Sequence, residues 1–294
     1  MPLLRAGAAL AAVAVLAACG SAPAPAPPAG PSIVASTDVY GAVAQAVGGD
    51  AVPVTSLIRS AAADPHEYEA TPADALAVSK ATVFVYNGAG YDDFAPKLLD
   101  SVEGNRPAAL DVSALSGLDT QDNEHVWYDL PTIEKLAGAI AAALGTADAG
   151  DAATYTANAK AFTAQVEGVK TKVAAIKAKH AGAKVAITEP VPGYLLDAAG
   201  LVVVTPPEFS EAVEEGTDPP AAVVTANNAT FTEAEVLVEN AQTAGPTTTQ
   251  AEQAAAANGV PVVKVTETLP EGVTDYVVWM SGQVDALATA LDAS

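Results

Sequence analysis

The feature that most constrains the fold is a long stretch without proline between Asp151 and His180. Its apolar residues recur every three or four positions, the spacing that places side chains on one face of an α-helix. These positions are Tyr155, Ala159, Phe162, Val166, Val169, Val173 and Ile176. At 1.5 Å per residue the helix would be about 45 Å long, more than one small lobe requires. We therefore predict a rigid helix over residues 151–180 that connects two lobes.

The regions on either side of this helix alternate β-branched runs with helical stretches. In residues 32–150, Thr71-Pro72 and Pro131 mark helix starts. The predicted strands of this lobe are Ile33–Ala35, Val52–Ile58, Val83–Tyr86 and Leu110–Val112. This order predicts an α/β fold with a mainly parallel sheet flanked by helices.

Residues 181–294 repeat the alternation and predict a second α/β lobe. Its predicted strands are Lys184–Ile187, Leu201–Val204, Val236–Val238 and Val260–Val265. The stretch Gly193–Ala199 lies between the first two of these strands, where the alternation predicts a helix. A final helix is expected from Tyr276 to Leu291. The segment Pro206–Pro220 is rich in proline and glutamate, so we expect a surface loop there.

The N-terminal residues predict export and a lipid anchor. Arg5 precedes an apolar run from Ala6 to Ala18, which is typical of a signal peptide over residues 1–18 and too short to span a bilayer. The sequence Leu16-Ala17-Ala18-Cys19 resembles the bacterial lipobox, which predicts lipidation of Cys19; the alternative is a generic secretory signal with a stray cysteine. Residues 19–31 then form a tether rich in alanine and proline. These features predict that the mature protein is anchored on the extracytoplasmic face of the cell membrane.

Composition argues against cysteine chemistry and against nucleic-acid binding. Cys19 is the only cysteine in the chain, so its lipidation would leave no thiol for a disulfide, a thiolate metal site or a nucleophile. The formal net charge is −22, with 13 Lys and Arg against 35 Asp and Glu, which argues against a nucleic-acid partner. An acidic surface would attract cations, although solubility alone also accounts for such a charge.

Two of the three histidines lie in predicted loops near sheet edges. His66 lies in Asp64-Pro65-His66-Glu67-Tyr68-Glu69, after the second predicted strand, and His125 lies just before a predicted helix. Open α/β sheets place ligands at such edges, and neutral imidazole is a common ligand for transition metals. The nearby acids Asp64, Glu67 and Glu69 are candidates to orient His66, whereas Trp127 and Tyr128 would either wall the cleft or belong to the core. The third histidine, His180, is expected to be an exposed residue at a helix end.

The two lobes, the connecting helix and the segments Asp64–Pro72 and His125–Trp127 resemble the metal-binding lipoproteins of bacterial ATP-driven zinc and manganese importers, known as cluster A-I solute-binding proteins. The resemblance covers essentially the whole mature chain. It implies that a divalent transition metal ion is bound between the lobes and delivered to an ABC permease in the membrane.

In that family four side chains usually reach the ion, two from each lobe. The resemblance implies His66 and His125 from the first lobe, and Glu189 and Glu267 from the second. Glu189 could instead cap the following helix, and Glu267 could be a solvated loop carboxylate with Asp275 as its substitute. Two imidazoles with two carboxylates suit manganese and tolerate zinc, so manganese is the first expectation.

Three alternatives remain open from the sequence. An enzyme is disfavoured, because the chain lacks His-Glu-x-x-His, Gly-x-Ser-x-Gly and a phosphate-binding glycine-rich loop. A surface adhesin or scaffold with a structural metal is compatible with the same residues. A binding protein for a siderophore or vitamin would need a wider cleft lined with aromatic side chains.

Overall fold

The computed structural model describes residues 30–59, 65–66 and 68–294. The predicted signal, Cys19 and most of the tether lie outside the described residues, as do Asp64 and Glu67. Within the described ranges, no helix combines the length and the apolar character that crossing a membrane requires.

The first lobe is a four-stranded parallel sheet in the order β2-β1-β3-β4. Its strands are β1 (Ile33–Thr37), β2 (Val54–Ile58), β3 (Val83–Tyr86) and β4 (Ala108–Asp111). Its helices are α1 (Asp38–Gly48), α2 (Pro72–Lys80), α3 (Phe94–Ser101), α4 (Val112–Ser116) and α5 (Leu130–Ala147), and α5 follows a 3₁₀ turn at Val126–Tyr128. Thr71 caps α2, as the Thr-Pro pair predicts. The fourth strand ends one residue earlier than predicted, because the Asp111 side chain accepts a hydrogen bond from the N–H of Ala114 and starts α4.

The second lobe repeats this topology with the strand order β6-β5-β7-β8, again all parallel. Its strands are β5 (Lys184–Ile187), β6 (Val202–Val203), β7 (Val236–Asn240) and β8 (Val262–Val265). Its helices are α7 (Gly193–Ala198), α8 (Pro207–Glu214), α9 (Ala221–Thr230), α10 (Pro246–Ala257) and α11 (Tyr276–Ala293). The two-lobed α/β fold class predicted from the sequence is therefore confirmed.

The long helix α6 spans Ala152–His180, 29 residues, and runs between the two lobes. Its buried residues are the seven apolar positions that predicted it. One continuous hydrophobic core extends from the first lobe across α6 into the second lobe, and it includes Phe162, Val173 and Tyr276. The relative position of the lobes is therefore fixed by shared packing.

The prediction of a surface loop over Pro206–Pro220 is wrong for the first half of this segment, which forms α8. Pro207 occupies the first turn, where proline is tolerated. Phe209 and Val213, four residues apart, are buried on the inner face of the helix. The proline and glutamate content hid this short amphipathic pattern.

A buried carboxylate in β7 makes stability depend on pH. Burial raises the pKa of Glu239 to about 7, although Lys264 Nζ lies 3.5 Å from its Oε2. Because the folded state holds this proton more tightly than the unfolded state, the contribution of Glu239 to stability is complete below pH ~4.5 and is lost as the pH rises to about 7. Glu239→Gln should remove this loss and be more stable than the parent at pH 8 by about 1 kcal/mol.

Urea unfolding at pH 5 and pH 8 measures this difference. The matched control is Glu233→Gln, which makes the same substitution at an exposed glutamate that pairs with Lys184. A Glu239→Gln variant that lost stability relative to the parent on going from pH 5 to pH 8 would contradict the prediction.

Candidate metal centre

The predicted site residues lie at the carboxyl ends of both parallel sheets, where the two lobes face each other. His66 follows β2, Glu189 follows β5, and Glu267 follows β8. His125 immediately precedes the 3₁₀ turn that leads into α5. Ligands of open α/β sheets bind at this edge, and here two such edges share one cleft.

His125 is completely buried, and its ring orientation is set by Asn123. Asn123 Oδ1 accepts the backbone N–H of His125 at 2.9 Å and lies 2.8 Å from Nδ1, so we assign the proton to Nδ1. Asn123 Nδ2 donates to the carbonyl of Pro190 at 2.9 Å, which fixes the amide and connects the two lobes. The lone pair of Nε2 is thereby directed into the cleft.

The surroundings of His125 keep the imidazole neutral. Burial, followed by the proximity of His66, lowers the pKa of His125 to about 3. The rings of Trp127 and Tyr91 both lie edge-to-face with the imidazole, with centroids 5.0 Å and 5.9 Å away. Trp127 thus lies against the candidate ligand as well as in the core. A neutral imidazole can bind a metal ion without first losing a proton.

His66 faces the same space from the loop after β2. Its ring is perpendicular to that of Tyr91 at 4.9 Å, so Tyr91 contacts both imidazoles. Its Nε2 lies 3.6 Å from Glu124 Oε1, and the backbone carbonyl of Glu124 accepts a hydrogen bond from Asn87 Nδ2 at 3.0 Å. His66 is more exposed than His125, which places it at the outer side of the site.

Glu189 and Glu267 are buried side by side and share one hydrogen-bond donor. Asn240 Nδ2, at the end of β7, donates to Glu189 Oε2 at 2.6 Å and to Glu267 Oε1 at 2.7 Å. Thr243 also donates its hydroxyl to Glu189 Oε1.

The structure disfavours a helix-capping role for Glu189 and a solvated loop position for Glu267. The helix that follows Glu189 has Pro192 at its N-cap and no side-chain cap. Glu267 is only 7% exposed, so it is not a solvated loop carboxylate. Asp275 instead caps α11 through the N–H of Val278.

Two carboxylates that the sequence did not predict join the histidines. Glu214, the last residue of α8, has its Oε1 3.4 Å from His125 Nε2. Burial raises the pKa of Glu214 to about 9, with further contributions from Glu124, Glu189 and Glu267. These contributions place Glu189 and Glu267 within electrostatic range of Glu214, which contacts His125.

One donor atom each from His66, Glu124, His125 and Glu214 lies within 4.8 Å of all the others. Transition metals bind nitrogen and oxygen donors at about 2.0 to 2.2 Å, so donors of one ion lie roughly 3 to 4.4 Å apart. The four atoms therefore already have a spacing close to that of a coordination shell. Glu189 and Glu267 lie next to this group but are not part of it.

The sequence could have indicated Glu124, which is adjacent to His125, but the short helix that carries Glu214 was not predicted. Asn123 and Asn240 gave no signal either, since asparagine is common in loops.

The family described as zinc-uptake complex component A, periplasmic (ZnuA), matches residues 33–290, nearly all of the described chain. The chain belongs to the ZnuA family. This match confirms the family resemblance drawn from the sequence.

The chain is also similar to a curated relative and to solved structures. The manganese-binding lipoprotein MntA of Halalkalibacterium halodurans is 34% identical over 139 residues, which is 45% of this chain and 45% of that protein's length. The SBP FpvC of Pseudomonas aeruginosa, solved in complex with Mn²⁺, superposes with a TM-score of 0.75 at 21% identity, covering 90% of this chain and 99% of FpvC. A mutant of the laminin-binding adhesin Lmb of Streptococcus agalactiae gives a TM-score of 0.74 at 21% identity, covering 89% and 100%. At these identities the two structures establish the shared fold.

Removing the Asn123 side chain should weaken metal binding without removing a ligand. Asn123→Ala frees the His125 ring to rotate and to place its proton on Nε2, so we expect affinity for manganese or zinc to fall 10- to 100-fold. Titration calorimetry measures the change, with Asp122→Ala as the control because Asp122 is exposed and next in the chain. Equal affinities for the two variants would show that Asn123 has no role in binding.

Proposed function

We propose that this protein is an extracytoplasmic solute-binding lipoprotein, which captures a divalent transition metal ion between its lobes and delivers it to an ABC permease. The observation that carries the proposal is the buried Nε2 of His125. It has no hydrogen-bond partner among the described residues and faces carboxylate oxygens. A buried polar atom without a partner is costly, and a bound metal ion would remove that cost.

The ligand set we propose is His66, His125, Glu189 and Glu267. All four lie at one interlobe cleft, and the last two are held together by Asn240. Two neutral imidazoles and two carboxylates match the charge of a divalent ion. The name of the MntA relative and the ion in the FpvC structure favour manganese, whereas the family description favours zinc. Carboxylate oxygens suit manganese, but zinc binds a given ligand set more tightly, so the cargo is one of these two ions.

We propose that the cleft captures and releases the ion and does not use it for catalysis. The shared core along α6 resists a large rotation of the lobes. We therefore propose that the ion enters and leaves beside His66, whose side chain is 32% exposed, without a large movement of either lobe. Lipidation of Cys19 would hold the protein at the extracytoplasmic membrane face, beside its permease partner.

Metal analysis of the purified mature chain tests the proposal. The protein is stripped of metal, offered equimolar manganese and zinc, passed through a desalting column, and assayed by mass spectrometry for bound metal. We expect one equivalent in the parent and in His180→Ala, whose histidine pairs with Asp292 at the far end of α6. We expect none in His66→Ala or Glu189→Gln. No stoichiometric metal in the parent would overturn the proposal.

The adhesin reading stays an alternative. The likeness to Lmb establishes the fold alone. Metal that exchanges reversibly favours transport, whereas metal retained until the protein unfolds would favour a structural role.

A further inference from the structure

Helix α8 carries a carboxylate from the second lobe to a histidine of the first. Phe209 and Val213 anchor the inner face of α8 in the core of the second lobe. Glu214, one residue beyond Val213, ends the helix and reaches His125 across the cleft. The position of its carboxylate is therefore set by helix packing.

The contact between Glu214 and His125 has the geometry of two ligands of one ion. Their facing atoms, Oε1 and Nε2, are 3.4 Å apart, and neither has a hydrogen-bond partner among the described residues. Both atoms are buried. Two donors of one ion, each at about 2.0 to 2.2 Å from it, lie roughly 3 to 4.4 Å apart, and the observed separation falls within this range. His66 and Glu124, at 3.6 Å, show nearly the same spacing on the other side of the group.

We infer that Glu214 binds the metal ion directly, as a carboxylate ligand beyond the four proposed above; this inference rests on the proposed function. With Glu214 the ion has ligands from four segments: the loop after β2, the turn before α5, the edge of the second sheet, and α8. A fifth protein ligand exceeds the tetrahedral shell that zinc prefers, whereas manganese accepts more oxygen ligands. Glu214 is thereby the residue that shifts selectivity toward manganese.

Two substitutions at Glu214 separate a direct ligand from a nearby charge. Glu214→Leu removes both the oxygen donor and the charge, whereas Glu214→Gln removes the charge but keeps an oxygen. The matched control is Glu211→Gln, an exposed glutamate one turn earlier on α8. Affinities for Mn²⁺ and Zn²⁺ are measured by competition, and the coordination number is read from the visible absorption of bound Co²⁺, whose bands intensify as the number falls toward four.

We expect Glu214→Leu to lower Mn²⁺ affinity at least 30-fold and Zn²⁺ affinity less than fivefold, with stronger cobalt bands. The Mn²⁺ affinity of Glu214→Gln should lie between that of Glu214→Leu and that of the parent. The Mn²⁺ affinity of Glu211→Gln should equal that of the parent. Equal losses in the Leu and Gln variants with an unchanged cobalt spectrum would overturn the inference, since Glu214 would then act through charge alone. Unchanged Mn²⁺ affinity in both Glu214 variants would also overturn the inference. In that case stoichiometric metal binding by the parent would still support the proposed function. A parent that bound no metal would overturn the proposed function first.

Discussion

Replacing His125 with leucine abolishes stoichiometric metal binding, with an expected loss of affinity of at least 1000-fold, or about 4 kcal/mol. His125 is the most buried of the candidate ligands, and Asn123 and the neighbouring aromatic rings fix its orientation. Leucine has a similar volume and no donor atom. The variant therefore tests the ligand rather than the packing of the site.

The control for His125→Leu is His180→Leu, which makes the same change at the third histidine. Binding is measured by titration calorimetry with manganese and with zinc, and thermal unfolding without metal shows whether each variant is folded. A folded His125→Leu variant that kept an affinity within tenfold of the parent's would exclude His125 as a ligand. Loss of binding in His180→Leu would indicate that the assay reports stability instead.

Changing Asn240 to aspartate should destabilise the metal-free protein by about 3 kcal/mol. The Asn240 amide donates to both Glu189 and Glu267, so it satisfies one oxygen of each buried carboxylate. Aspartate has nearly the same shape but places a third carboxyl group between them. The two hydrogen bonds that the amide donates are lost or reduced to one. The three carboxylates then either repel one another or one of them must take up a proton at an energetic cost.

Denaturant unfolding at pH 7.5 in a chelator measures this loss. Asn258→Asp makes the same chemical change at the exposed end of α10 and should alter stability by less than 1 kcal/mol. If the proposed site holds an ion among these carboxylates, saturating manganese should recover part of the loss in Asn240→Asp. A variant as stable as the parent in chelator would show that Asn240 does not hold the two glutamates in the metal-free state.

The fold could be predicted from the sequence because its elements repeat regular patterns. The helix α6 exposes one polar face along its length, so all seven of its buried positions follow from spacing alone. Most of the parallel strands are short runs rich in valine and isoleucine that lie between turns, and their short length and β-branched content distinguish them from the helices. The loop prediction failed at α8 because that helix is only eight residues long and begins at Pro207, directly after Pro206, and consecutive prolines are also typical of loops.

The candidate site could be predicted only where its residues have a local signal. His66 and His125 were recognisable as histidines in loops at sheet edges, whereas Glu189 and Glu267 came from family resemblance. Glu214 is one of three glutamates between positions 211 and 215, and nothing local distinguishes it. Glu214 reaches the site because of the side on which α8 packs against the second lobe, and contacts with the rest of that lobe decide this packing.

The apolar core that runs through α6 makes the two lobes parts of one cooperative folding unit. Tyr128 of the first lobe donates its hydroxyl to the carbonyl of Thr266 at 2.7 Å, and Tyr276 of the last helix donates to the carbonyl of Trp127 at 2.8 Å. Neither lobe can therefore unfold without exposing apolar surface and leaving polar atoms of the other without partners. Half of the chain expressed alone would lack part of its own core, although each half contains a complete parallel sheet.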